Sequence, residues 1–204
     1  MTTLLQIHSS LFGETGQSSR LSDQFVQLRR QLEPDVVLIR RDLARDPVPH
    51  LTAASFQAFL KEPADRTPDE QAVVDYSDGL IDELKRADVI VLGLPMYNFG
   101  VPSSVRAYFD HIARAGVTFR YTSAGPEGLL KGKQLFVFAT RGGKYAGTPS
   151  DTQSGYVSQF FRFLGIEDIS FVYAEGLALG EPQKVTALDE AGAQLAELAQ
   201  PLAA

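Results

Sequence analysis

One short apolar segment, Val89–Leu92, constrains the fold more than any other part of the chain. Its four residues are all aliphatic, so a strand formed here must be buried on both faces. An amphipathic helix pattern follows it, with apolar side chains at Val105, Tyr108, Phe109 and Ile112. A doubly buried strand that leads into a helix predicts a parallel sheet covered by helices.

The same unit recurs along the chain. Further apolar runs predict strands at Leu4–Ile7, Val36–Ile39, Lys133–Ala139 and Ile169–Tyr173. Helical patterns lie between or after them, at residues 21–32, 73–86, 157–164 and 184–202. We therefore expect an α/β fold, a doubly wound five-stranded parallel sheet in the order 2-1-3-4-5 with helices on both faces. No linker or repeat interrupts residues 1–204, which predicts a single domain.

Composition excludes several classes of partner. The net charge of −6 and the absence of a basic run argue against nucleic acid or an anionic membrane surface. The chain has no cysteine, and its three histidines have no acidic partner at ligand spacing, so we expect no disulfide and no metal site. The amino terminus does not resemble a signal peptide, and no stretch has the length of a membrane span. A cytoplasmic protein is expected.

A loop rich in hydroxyl groups, Ser9–Ser19, joins the first strand to the first helix. Free backbone N–H groups and the positive end of the helix dipole meet at such a junction, which predicts an anion site with Ser18 or Ser19 as the helix cap. The loop has neither of the common glycine-rich phosphate-binding spacings. An ordinary strand-to-helix loop capped by a serine is an equal alternative on this pattern alone.

The loop after the third strand, Pro95–Gly100, carries a methionine and two aromatic residues where small polar residues are usual. Asn98 and Gly100 are able to take unusual backbone angles. Because ligands of open α/β sheets bind outside the carboxyl ends of the strands, this loop is expected to form a wall for a flat aromatic ligand. The alternative is that Tyr97 and Phe99 are plugs that pack on the core.

A long stretch between the second strand and the next helix, Pro47–Pro68, contains four prolines. A short helix at Ala53–Leu60 fits inside it. Loops of this length in a compact domain are often functional, so the stretch is interpreted as a lid or as one wall of the pocket.

Four motifs together carry a resemblance to a known family. They are Pro95–Phe99, Arg114–Tyr121, Gly125–Gly128 and Thr140–Gly143. In this order and spacing they resemble the FMN-dependent NADH azoreductase and quinone reductase family, over nearly the whole chain. The resemblance implies a flavodoxin-like homodimer that binds one FMN per subunit, non-covalently, with both sites at the subunit interface.

The resemblance also implies which residues bind the cofactor. Those on the phosphate side are Ser10, Gly16, Gln17 and Ser18. Those that line the isoalloxazine ring are Met96, Tyr97, Asn98, Phe99, Thr140, Arg141, Gly142 and Gly143. The candidates for stacking on substrate are Tyr97, Phe99, Tyr121 and Phe163, with Phe163 directed towards the partner's flavin. Gly16 stands where family members often carry a serine, so one hydroxyl contact to phosphate is missing.

The function implied is that of an FMN-dependent NAD(P)H oxidoreductase. It would reduce quinones and cleave aromatic azo compounds reductively, with two electrons per turnover and ping-pong kinetics, taking its electrons from NADH or NADPH. No catalytic acid or base is expected, since the chemistry belongs to the cofactor. The alternatives are a flavodoxin-type electron carrier and a non-catalytic FMN-binding regulatory subunit.

Overall fold

A computed structural model describes residues 1–200 of the chain. Its seven strands are β1 Thr3–His8, β2 Val37–Asp42, β3 Val89–Pro95, β4 Phe119–Thr122, β5 Gly125–Gly128, β6 Gln134–Thr140 and β7 Asp168–Ala174. Its six α-helices are α1 Gln17–Leu32, α2 Ala53–Leu60, α3 Pro68–Arg86, α4 Ser103–Ile112, α5 Thr152–Phe163 and α6 Glu181–Leu198. The predicted last helix extended to residue 202, and its final two residues lie outside the described part of the chain.

Five strands form one sheet in the order β2-β1-β3-β6-β7, and every neighbouring pair is parallel. The predicted α/β architecture with a five-stranded parallel sheet is therefore confirmed. Strands β4 and β5 form a separate antiparallel hairpin, and the sequence pattern did not number them as strands. All seven residues of β3 are buried, because β3 lies in the middle of the sheet with helices over both of its faces.

Two hydrophobic clusters hold helices against the two faces of the sheet. On one face, α1 and α6 pack on β1, β3, β6 and β7. Phe25 of α1 contacts Phe136 and Phe138 of β6, with ring centroids 4.7 and 5.4 Å away. On the other face, α3, α4 and α5 enclose the second cluster, where Phe109 and Phe160 stack at 3.9 Å. Burying each such ring contributes about 1.5–3 kcal/mol.

The stretch between Pro47 and Pro68 is docked on the rest of the molecule. It contains α2, at the bounds that the sequence predicts. The Pro49 carbonyl lies 3.1 Å from Nε2 of His111 in α4, and the Arg114 guanidinium lies 4.1 Å from the centroid of the Phe59 ring. Burial lowers the pKa of His111, although its hydrogen bond to Pro49 acts in the opposite direction. These contacts fix the stretch against the end of α4 and the residues that follow it.

Among the helices of residues 1–200, none is both long enough and apolar enough to cross a membrane.

Candidate cofactor-binding site

Three loops leave the carboxyl edge of the sheet side by side. His8 at the end of β1 pairs with Gly93 of β3, and Pro95 at the end of β3 pairs with Thr140 at the end of β6. The chain turns in opposite directions along the sheet from β1 and from β3, so a crevice forms between their loops. The residues predicted to bind the phosphate and the ring lie in these three loops, in the first turn of α1 (Gln17, Ser18) and at the end of β6 (Thr140).

The first loop ends at the amino terminus of α1. The helix begins at Gln17 with Gly16 as its N-cap, so the prediction that Ser18 or Ser19 is the cap was wrong. Both serines lie inside the first turn and are buried, and neither hydroxyl has a hydrogen-bond partner within the described residues. Because Gly16 supplies no capping side chain, the first N–H groups of the helix remain available to an anion.

Two glycines allow the close approach of this loop. A Cβ atom on Gly16 would lie 2.1 Å from the Ser10 hydroxyl oxygen, so no side chain fits at this position while Ser10 keeps its place. A Cβ atom on Gly93 of β3 would lie 2.9 Å from the Ser18 carbonyl oxygen. The first turn of α1 therefore lies directly against the central strand.

The second loop is a tight turn of four residues, Tyr97–Gly100. The N–H of Tyr97 donates to the Gly100 carbonyl at 3.2 Å, and the N–H of Gly100 donates to the Tyr97 carbonyl at 3.0 Å. The two central residues, Asn98 and Phe99, have φ angles of 50° and 63°, the pattern of a type I′ turn. Asn98 takes one of the unusual backbone angles that it is able to adopt, and Phe99, not Gly100, takes the second.

This turn places its aromatic side chains outside the core. Phe99 is 55% exposed, and its ring meets the edge of Tyr145 at 5.5 Å. Tyr97 is half-buried, and its hydroxyl accepts a hydrogen bond from the N–H of Leu11 at 3.2 Å. Phe99 is thus not a core plug, and Tyr97 joins the second loop to the first.

Arg141, which follows β6, directs its side chain away from the crevice. The residue is 1% exposed. Its guanidinium donates to Asp151 at 2.8 Å, to Ser154 at 2.8 Å and to Glu175 at 3.0 Å. Its backbone N–H donates to the Ala174 carbonyl at 2.9 Å. Arg141 therefore does not face the crevice. Both its guanidinium and its backbone N–H already donate hydrogen bonds to groups of the protein.

The guanidinium reaches the second loop through Gln153. The Arg141 Nε–H donates to the Gln153 side-chain oxygen at 3.4 Å. The amide nitrogen of Gln153 in turn donates to the carbonyls of Pro95, at 2.9 Å, and Gly100, at 3.3 Å. Gln153 is fully buried. Its amide therefore holds the last residue of the turn that carries Phe99 and the last residue of β3, which leads into that turn.

The third loop brings backbone donors to the same edge. Thr140 is buried at the end of β6, and its carbonyl accepts from the N–H of Met96 at 2.9 Å. The carbonyls of Gly142 and Gly143 accept from Ala178 and Gly176. Within residues 1–200 no acceptor is found for the N–H groups of Gly142 and Gly143. These two donors are free to meet an electron-rich ligand.

Two predicted stacking residues lie elsewhere in the chain. Phe163 is the last residue of α5, about 16 Å along the helix from Thr152, whose hydroxyl donates to the Phe99 carbonyl. Phe163 packs on Phe119, with ring centroids 4.4 Å apart, and Tyr121 of the β4–β5 hairpin also contacts Phe119. One copy of the chain therefore does not bring Tyr121 and Phe163 to Tyr97 and Phe99.

Several residues of the site carried no signal in the sequence analysis. Gln153, Asp151 and Glu175 hold Arg141, and Tyr145 lies against Phe99. Within residues 1–200 no group of three or more His, Cys, Asp or Glu side chains could hold a metal ion.

Comparisons with known proteins identify the family of this chain. The sequence profile of a family described as having a flavodoxin-like fold matches residues 2–199. The chain belongs to this flavodoxin-like family. The family resemblance seen in the four motifs is confirmed as well. An FMN-dependent NADH:quinone oxidoreductase of Cellvibrio japonicus is 53% identical over 187 residues, which cover 92% of this chain and 94% of that protein.

Further members of the flavodoxin-like group are similar in sequence or structure. An FMN-dependent NADH:quinone oxidoreductase of Alcanivorax borkumensis is 49% identical and covers 94% of this chain and 97% of its own length. The crystal structure of an FMN-dependent NADH-azoreductase from Bacillus anthracis, in complex with FMN, superposes with a TM-score of 0.88. It is 29% identical, and the match covers 98% of each chain.

Replacing Phe99 tests the strain in the turn of this flavodoxin-like protein. Phe99→Asn and Phe99→Ala both remove the ring, but asparagine tolerates the left-handed backbone region better than alanine does. Urea unfolding should show the asparagine variant more stable than the alanine variant by about 0.5–1 kcal/mol. Equal stabilities, or a more stable alanine variant, would contradict a positive φ at Phe99.

Replacing Asp151 tests the ion pair with Arg141. Burial alone would raise the pKa of Asp151, but the N–H and hydroxyl of Ser154 and the Arg141 guanidinium together hold that pKa below its ordinary value. A lowered pKa means that the carboxylate stabilises the fold above about pH 4 and that this contribution is lost as the pH falls further. Asparagine keeps the helix cap but not the charge.

Asp151→Asn should therefore lower the free energy of unfolding by about 1.5–3 kcal/mol near neutral pH. The difference from the parent protein should shrink towards about pH 3, where the parent carboxylate begins to protonate. Urea unfolding at the two pH values measures both quantities. Asp189→Asn, at an exposed position of α6, is the control and should have no effect. A difference that is the same at both pH values would argue against the charged contact.

Proposed function

We propose that this chain is an FMN-dependent NADH oxidoreductase that reduces quinones and cleaves aromatic azo compounds. The observation that carries the proposal is the crevice, where an uncapped helix terminus, an exposed aromatic turn and free glycine N–H groups meet. Close relatives are named FMN-dependent NADH:quinone oxidoreductases, and a structural neighbour is an NADH-azoreductase in complex with FMN.

The chain's polar groups fit the two ends of FMN. The buried hydroxyl groups of Ser18 and Ser19 lack partners among the described residues, and buried polar groups normally have them. With the N–H groups of the first turn of α1, they would hold the phosphate. The turn at Tyr97–Gly100 and the N–H groups of Gly142 and Gly143 would hold the ring.

The residues of the site position and stabilise, and they do no acid–base chemistry of their own. FMN, when bound, supplies the two-electron transfer. The N–H groups of Asn98, Gly142 and Gly143 would stabilise negative charge as it develops at the ring edge. The rings of Tyr97 and Phe99 offer a wall on which flat molecules stack with little selectivity for shape. Because donor and acceptor would use the same wall in turn, the kinetics would be ping-pong.

Several finer features belong to the proposal. We propose that residues 1–204 form one FMN-binding domain that acts in the cytoplasm, with NADH or NADPH as donor. We also propose a homodimer in which Tyr121 and Phe163 of one copy meet the site of the other. Tyr121 is 75% exposed on the hairpin, so its ring is available to contact a second copy. Sedimentation equilibrium gives the mass in solution, and a purely monomeric protein would contradict the dimer.

Anaerobic reduction of the FMN-loaded protein tests the function. Adding NADH should bleach the visible flavin absorbance, and adding 1,4-benzoquinone afterwards should restore it without NADH being present. Initial rates at several concentrations of both substrates should give parallel double-reciprocal lines, as expected for ping-pong kinetics. Converging lines, which require both substrates to be bound together, would contradict the shared wall.

Two other outcomes would overturn the proposed function. A flavin that stays oxidised with both NADH and NADPH would indicate a regulatory subunit or an electron carrier that depends on another reductase. A protein that binds no FMN would exclude all three readings.

A further inference from the structure

A cavity opens on the side of the turn at Tyr97–Gly100, next to the proposed FMN crevice. Its volume is about 900 Å³, within the range of sites that hold small organic ligands. It is lined by residues of the first loop, the stretch after β2, the turn, α4 and α5: Leu11, Leu43, Ala44, Pro47, His50, Tyr97, Asn98, Gly100, Val101, Pro102, Ser103, Ser104, Arg106, Thr152 and Tyr156.

The walls of the cavity suit a flat aromatic molecule. Tyr97 contributes from the turn and Tyr156 from α5, while Leu11, Leu43 and Val101 supply aliphatic surface. Aromatic and aliphatic walls bind aromatic rings by stacking and by burial of apolar area. Since Tyr97 also belongs to the proposed ring-binding wall, a molecule in the cavity lies beside the place where electrons are transferred.

The charge of the cavity differs from that of the chain. The chain carries a net charge of −6, yet no Asp or Glu is among the residues that line the cavity. Arg106 is the lining residue with a permanent positive charge. Its guanidinium lies 5.2 Å from the centroid of the Tyr156 ring, and contact with an aromatic face orients a guanidinium.

Arg106 is only weakly engaged by an anion of the protein. The acidic group it contacts is Asp110, one turn further along α4, at 4.0 Å and on an exposed surface. Such a pair contributes little. Arg106 can therefore exchange this partner for an anion in the cavity, where a guanidinium is able to form two parallel hydrogen bonds to a carboxylate or sulfonate.

The amino terminus of α4 adds donors on the same side. Pro102 is the N-cap and provides no capping side chain, and the N–H groups of Ser103 and Ser104, the first two of α4, have no protein acceptor among residues 1–200. The Ser104 hydroxyl is shielded from solvent and has no hydrogen-bond partner among the described residues. The positive end of the helix dipole therefore reinforces the charge of Arg106.

We propose that Arg106 binds the anionic substituent, a carboxylate or sulfonate, of a flat aromatic acceptor that occupies this cavity. The inference rests on the proposed function, because it assigns a substrate class to that site. Arg106 then selects negatively charged quinones and azo compounds over their uncharged parents, while the aromatic walls bind the ring system of both.

A matched pair of azo compounds tests the proposal. One is 4-(dimethylamino)azobenzene, and the other is the same molecule with a sulfonate on the distal ring. In Arg106→Ala, kcat/KM for the sulfonated compound should fall about tenfold, through KM, while the value for the uncharged compound should change less than about twofold. The kcat/KM of Arg106→Lys for the sulfonated compound should lie between the values of the parent protein and Arg106→Ala, since lysine keeps the charge but not the planar guanidinium.

The control is Arg86→Ala. Arg86 is exposed at the end of α3, near the amino ends of the strands and so at the opposite edge of the sheet. Its removal changes the net charge equally and should affect neither compound. Added salt should weaken the preference for the sulfonated compound in the parent protein and leave the Arg106→Ala variant almost unchanged.

Equilibrium binding separates a failure of this inference from a failure of the proposed function. Calorimetry with the FMN-loaded protein and no NADH measures binding of the sulfonated compound without turnover, and Arg106→Ala should weaken it by the same factor of about ten. An equal loss for both compounds, or no loss for either, would overturn the role of Arg106. If neither compound is reduced, the proposed function fails, and the binding measurement still decides whether Arg106 holds the sulfonate.

Discussion

The buried guanidinium of Arg141 is the interaction on which the rest of the site depends. It pairs with Asp151 at the start of α5 and with Glu175 after β7, and through Gln153 it reaches the turn after β3. Glu175 also accepts the N–H groups of Tyr145 and Ala146 at 2.9 Å. A buried charge is tolerated only where its hydrogen bonds are met, and here that requirement fixes three segments relative to one another. The network thus fixes the positions of the loops that follow β3 and β6.

The strained turn above this network shows what the positioning achieves. Phe99 has a positive φ angle, which costs a residue with a side chain about 1–2 kcal/mol. Hydrogen bonds to the turn offset this cost. The side chain of Gln153 donates to the carbonyls of Pro95 and Gly100, and the hydroxyl of Thr152 donates to the carbonyl of Phe99. The result is an aromatic ring that stays exposed at the mouth of the crevice instead of packing into the core. Strain held in this turn by the surrounding hydrogen bonds is consistent with a wall formed before any ligand arrives.

The sequence predicts the elements of this protein better than the contacts of its site. Val89–Leu92 predicts the central strand because an uninterrupted aliphatic run has few other uses, and Ala53–Leu60 predicts a helix that begins and ends at those residues. The cap of α1 was misjudged because the space beside Ser10, which requires glycine at position 16, is a tertiary property. The role of Arg141 was equally hidden. Its partners lie 10 and 34 residues away, and local patterns carry no information about such pairs.

Amide hydrogen exchange in Arg141→Lys tests most directly whether the buried guanidinium holds the loops together. Lysine keeps the charge but cannot donate to Asp151, Glu175, Ser154 and Gln153 at once. In this variant the amides of Tyr97 and Gly100, whose N–H groups close the turn, should exchange faster by about tenfold or more. The amides of α1 after its first turn should exchange at the parent rate. Faster exchange confined to residues 151–154, with an unchanged rate at Tyr97 and Gly100, would contradict the role of Arg141 in holding the loops together.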